Sequence, residues 1–80
     1  MRVSVHFDSF FRELTGCENT AAALAEGTTL SALHGFLIKR FPKLAAHRDA
    51  TAMTVGLMRQ KEEYRLREGD EVRLAPGNRP

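Results

Sequence analysis

Residues 26–42 read EGTTLSALHGFLIKRFP, and the spacing of their apolar side chains decides what the rest of the chain must pack against. Leu30, Leu33, Leu37 and Phe41 recur at intervals of three and four, the period of one helical face, until Pro42 blocks continuation. Thr28 or Thr29 supplies the N-cap, because a threonine hydroxyl accepts from the orphan N–H groups of the first turn. Gly35 costs such a helix about 1 kcal/mol relative to alanine and marks either a crowded packing position or a tolerated one. His34 is assigned to the polar side, a solvated residue before it is a base.

Working outward toward the N-terminus, RVSVHF (2–7) alternates, with Val3, Val5 and Phe7 on one face and Arg2, Ser4 and His6 on the other, a half-buried strand. DSFFRELTG (8–16) forms a short helical turn: Asp8 or Ser9 caps it, Phe10 or Phe11 and Leu14 reach the core, and Gly16 is the left-handed stop. ENTAAALAEG (18–27) permits a second strand with Ala22 and Leu24 inward.

On the other side of the helix, KLAAHRDAT (43–51) reads as an irregular link, and MTVGLM (53–58) as a strand with Met53, Val55 and Leu57 on one face. RQKEEYRL (59–66) reads as a short polar edge strand, and EGDEVRL (68–74) as a Gly-Asp turn into a last strand with Val72 and Leu74 inward. Strands on both sides of one main helix predict an α+β domain, a mixed four- to five-stranded sheet with the helix packed across one face.

The 80 residues hold one domain, expected over 1–75 with a flexible tail at 76–80, and leave little room for an internal catalytic cleft. No apolar run approaches the roughly 18 residues that span a bilayer, and MRVSVHFDSF lacks the pattern of a signal peptide, so a cytoplasmic protein is expected. The single cysteine, Cys17, excludes an intramolecular disulfide and a thiolate metal knuckle, and the sequence places no histidine beside it as an activating base. Neither a metal nor a cofactor is expected.

A formal charge of +2, with acids interleaved among the bases, does not indicate a nucleic-acid groove. Lys39, Arg40, Lys43 and Arg48 cluster where the helix ends, where cations meet the helix dipole, and the only tyrosine, Tyr64, stands between Glu63 and Arg65 rather than in a stacking platform. The paired acids Glu62–Glu63 and Asp70–Glu71 are sequence neighbours that point to opposite faces of a strand, so they do not converge on one substrate atom. An intrinsic enzyme is not expected.

Three stretches together carry a family resemblance: RELTG at 12–16, the helix entry and exit at 26–42, and LREGDEVRLAP at 66–76. They resemble the ubiquitin-like β-grasp sulfur carriers of the MoaD/ThiS type, the small subunit of molybdopterin synthase and its thiamine-pathway counterparts. The resemblance spans nearly the whole chain. It implies a carrier whose C-terminal glycine carboxylate is activated as an acyl-adenylate by an E1-like adenylating enzyme and converted to a thiocarboxylate, with a larger synthase subunit as second partner. A diglycine end suits such chemistry because it has no side chains to obstruct a narrow channel. The carrier tail then corresponds to Pro76, Gly77, Asn78, Arg79 and Pro80, in which Arg79 and Pro80 occupy the two places where relatives carry glycine.

Two functions follow as expectations: a sulfur carrier whose tail is competent or trimmed, and a binding or regulatory subunit that keeps the fold and lacks the reactive diglycine. For either, His6, Met58 and Arg73 are the expected partner-binding residues, projecting together from the open face of the sheet.

Overall fold

The computed structural model describes residues 1–77; the expected tail residues Asn78, Arg79 and Pro80 lie outside the described residues. The alternation of RVSVHF produces strand β1 (Arg2–Phe7), with Val3, Val5 and Phe7 buried. The short helix α1 (Phe11–Thr15) follows and ends at Gly16, whose φ of 77° is the left-handed stop expected of it. Its start differs from expectation. Neither Asp8 nor Ser9 caps it with a side chain; Phe10 is the N-cap, and of the two phenylalanines it is Phe11 that is fully buried.

Strand β2 (Asn19–Ala23) pairs antiparallel with β1, with Ala22 buried opposite Val3, while Leu24 packs half-buried just beyond it. Helix α2 (Leu30–Arg40) starts at Thr29, whose Oγ1 accepts from the Ala32 N–H at 3.2 Å. Leu30, Leu33 and Leu37 are completely buried, and Phe41, half-buried at the C-cap, packs edge-on to Phe7. His34 is not on the polar side: at 1% exposure it belongs to the buried stripe. The period explains why, since residue 34 lies four after Leu30 and three before Leu37, the two spacings that share a helical face. Nothing within 4 Å would meet a Cβ at Gly35, so that glycine is tolerated rather than required.

The expected irregular link is a 3₁₀ segment (Pro42–Ala50), with Leu44 buried beneath it and Pro42 at its first turn. Strand β3 (Thr51–Val55) then meets a two-residue turn, Gly56-Leu57, and reverses into β4 (Met58–Arg59). Gly56 has φ 62°, and a glycine at the first central position is the signature of a type II′ hairpin turn. MTVGLM is therefore a hairpin and not one strand, and Leu57 is not inward: it is 102% exposed at the tip. The polar edge strand expected over 59–66 shrinks to Met58–Arg59, and the chain that follows docks on the start of α2.

Strand β5 (Glu71–Pro76) enters after Gly69, which has φ 81°, and lies between β1, to which it is parallel, and β3, to which it is antiparallel. The sheet order is β2-β1-β5-β3-β4, a mixed five-stranded sheet with α2 across one face. Pro76 is the last residue of β5, and the Gly77 N–H donates to the Ala50 carbonyl at 3.0 Å.

Candidate functional site

Two features of this architecture bear on function: the open face of the sheet and the point where the chain leaves β5. Because side chains alternate along each strand, Val72 and Leu74 fix the helix face of β5 and leave Glu71, Arg73 and Ala75 on the open one. Cross-strand partners share a face, so the register defines one transverse row, Asn19, His6, Arg73, Thr54 and Arg59, running across all five strands.

His6 and Arg73, both expected on the open face, are cross-strand neighbours there. His6 Nε2 lies 3.8 Å from Glu71 Oε1, and Arg73 Nη1 donates to Asp8 Oδ1 at 2.6 Å. Asp8 leaves the cap role for this contact: its carboxylate neutralises the cation at the centre of the face. The pair is largely solvent-exposed, so screening limits it to about 1 kcal/mol or less.

Met58 does not join them. It is exposed, but its register partner is Val55, whose side chain belongs to the face that α2 covers. The reversal at Gly56-Leu57 shifts the alternation, so Arg59, paired with Thr54, takes the open-face place assigned to Met58. The signal was in the sequence: a valine, then Gly-Leu, then a methionine fits two strands closed by a two-residue turn.

The tail leaves from the centre of the sheet. Pro76 pairs with Thr51 and Ala75 with Ala52, and Gly77 extends the same ladder by one bond to Ala50. Elsewhere the described residues offer little chemistry. No group of three His, Cys, Asp or Glu is placed to hold a metal ion among them, and none of their helices is long and apolar enough to cross a membrane. Cys17 is half-buried, with Sγ 3.7 Å from the Thr15 hydroxyl. Tyr64 donates its hydroxyl to Asp70 Oδ2 at 3.1 Å; desolvation raises its pKa above the ordinary 10.0, and the Asp70 hydrogen bond adds to the rise.

No family model and no curated protein matches the chain. Solved structures do match over nearly its full length. The putative molybdopterin converting factor subunit 1 of Pyrococcus furiosus is 22% identical with a TM-score of 0.89, covering 96% of this chain and 98% of that one. The small archaeal modifier protein 1 of Haloferax volcanii is 14% identical at a TM-score of 0.86, over 95% and 97% of the two chains. A complex of subunits 1 and 2 of the molybdopterin-converting factor of Helicobacter pylori contributes a match of 20% identity and TM-score 0.72, over 100% and 99%. At these identities the likeness shows the fold alone, a ubiquitin-like β-grasp.

Proposed function

We propose that this chain is a small, non-catalytic sulfur carrier of the molybdopterin or thiamine type, working in the cytoplasm with an E1-like adenylating enzyme and a larger synthase subunit. The observation that carries the proposal is the end-to-end fold match to a subunit 1 and to a small modifier, in a chain whose last strand delivers the tail from the centre of the sheet. The H. pylori match is itself titled as a complex of subunits 1 and 2, which supports a larger subunit as partner.

The chemistry resides in the tail. A terminal carboxylate oxygen attacks the α-phosphorus of ATP held by the adenylating enzyme, and pyrophosphate leaves. A sulfide-level sulfur nucleophile, HS⁻, then attacks the acyl carbon, AMP leaves with the electron pair of the broken C–O bond, and loss of the sulfur-bound proton gives the thiocarboxylate. The folded body supplies recognition through the open face, where His6, Arg73 and Arg59 lie in one row; Met58 belongs to a separate contact at the β3–β4 hairpin.

A second function is favoured by one sequence observation. Arg79 and Pro80 stand in the register of the two glycines, a long cation and a rigid ring where a narrow channel requires bare backbone. On this ground the chain acts as a binding or regulatory subunit without a reactive arm.

Intact-mass spectrometry of the protein recovered with its own host's activating enzyme and sulfur donor separates the two. Loss of residues 78–80 or a change at the end, with one oxygen replaced by sulfur, supports the carrier. An unmodified chain, alongside a second carrier that the same enzyme does modify, leaves the binding subunit.

A further inference from the structure

We infer that Gly77 belongs to the folded body, as the seat from which the chain leaves the sheet, so that any reactive carboxylate must lie beyond residue 77. One hydrogen bond holds this residue to the body, and a close backbone approach excludes any side chain there. Its N–H donates to the Ala50 carbonyl at 3.0 Å, which continues the β3–β5 ladder past Pro76. Its α-carbon passes so close to β3 that a Cβ placed there would stand 2.7 Å from the Ala52 Cβ, with the Ala52 backbone N at 3.7 Å.

A Cβ–Cβ separation below 3.0 Å is not relieved by a side-chain rotation, because alanine has no rotatable heavy atom and both carbons are fixed to paired strands. The glycine is therefore required by close approach of backbone to neighbour and not by its dihedral freedom. Ala52 and Ala75, themselves a cross-strand pair on the open face, form the small-residue floor that this approach needs.

The consequence for activation rests on the carrier function proposed above. Trimming to Gly77 would leave a carboxylate attached to the same residue whose N–H is bonded to β3. Its carbon would then sit two covalent bonds from an atom held in the sheet, where an adenylating site cannot close around it. Exposure of Gly77 by proteolysis would abolish the handle rather than create one, so a thiocarboxylate found on a chain ending at Gly77 would support the carrier and overturn the seat.

The test has two parts, one of which needs no partner. In the full chain, Gly77→Ala is expected to lower Tm by about 4 °C or more, the effect of overpacking a rigid contact in a domain of this size. In the Ala52→Gly background the same substitution is expected to cause no further loss, because the opposing Cβ is gone. Equal losses in both backgrounds, or none in either, would overturn the seat.

The second part measures ATP–pyrophosphate exchange by the host's E1-like enzyme on two variants, one ending at Gly77 and one carrying Arg79→Gly and Pro80→Gly with its carboxylate at position 80. Exchange with the second and none with the first is expected. Equal exchange on both would overturn the inference while the carrier function stands. Exchange on neither, with the enzyme active on another carrier, would remove the carrier function and leave the seat to be judged by the Tm cycle.

Discussion

At one edge of the sheet, β2 runs five residues in unbroken antiparallel register with β1, and the ladder continues at both ends through Phe7 N–H to Glu18 O and Leu24 N–H to Met1 O, each 2.8 Å. At the other, β4 offers two residues, and the chain then leaves the sheet for the start of α2. There the Leu30 N–H donates to Tyr64 O and the Ser31 N–H to Glu62 O, both at 3.0 Å, while the Leu66 N–H donates to Thr28 O at 2.8 Å. The first N–H groups of a helix have no partner within it. In this molecule they serve as the strand partner that β4 lacks. One edge is held by a sheet ladder, the other by a helix terminus, so disturbances of α2 should reach only the second.

The largest expected effect breaks the distinction altogether. Leu37 is fully buried at the centre of the helix face, and Leu37→Ala should cost about 2–5 kcal/mol, transfer and cavity together. Because that loss acts on the core that both edges share, amide exchange at β2 and at residues 60–66 should accelerate in parallel. Protection surviving at β2 alone would mean that the two edges belong to separate cooperative units.

A smaller change should separate the edges. Thr29→Ala removes the hydroxyl that caps Ala32 and should cost about 1 kcal/mol. Exchange at Leu30, Ser31 and Leu66 should rise with it, while exchange at Ala22 should not exceed the global change. Equal acceleration at both edges would show that the helix terminus holds nothing locally.

The contrast between edges also governs what could be read in advance. The stripe of leucines in α2, the alternation of β1 and the Gly-Asp entry to β5 each express a single period or a single turn preference, and the structure follows them. The failures cluster on the second edge and its surroundings. MTVGLM has the alternation of a strand, yet the glycine within it reverses the chain, moving Met58 to the helix side and Arg59 to the open face. RQKEEYRL is a strand only at its first residue: beyond Gln60 its backbone partners are Thr28 and the first turn of α2, distant in sequence, which no local pattern records. His34 was misplaced by its polarity against its position: three- and four-residue spacing to two buried leucines outweighs residue type. Of the site, alternation makes the shared face of His6 and Arg73 legible, whereas their pairing and the seating of Gly77 against Ala52 depend on how strands approach and are not.

A finer probe of the second edge is Tyr64, whose hydroxyl reaches Asp70 Oδ2, the same oxygen that accepts the Arg67 N–H at 2.9 Å. Tyr64→Phe should cost about 0.5–1.5 kcal/mol by removing one donor from a part-buried pair. The pH dependence has a definite sign. Desolvation, and secondarily the Asp70 carboxylate, favour the neutral phenol in the folded chain, so its pKa lies above the ordinary 10.0. The hydroxyl's contribution is therefore complete below that value and is lost as pH rises through the raised one. Tm profiles of wild type and Tyr64→Phe should run parallel at neutral pH and converge in alkali; a constant gap would mean that the phenol ionises equally in both states.

The smallest effect should come from the hairpin tip that defines this edge. Leu57 is wholly exposed, and its place in the type II′ turn asks for backbone geometry from Gly56 and nothing from its own side chain. Leu57→Asn should leave stability within about 0.5 kcal/mol, as surface changes away from special features do. An apolar side chain this exposed gains nothing in the monomer, so a drop of more than about 1 kcal/mol would have to come from association. Repeating the melt at tenfold lower protein concentration decides that case: a Tm that falls on dilution in wild type and not in Leu57→Asn would place the tip in contact with another chain, whereas a concentration-independent Tm leaves the second edge defined by its helix contacts alone.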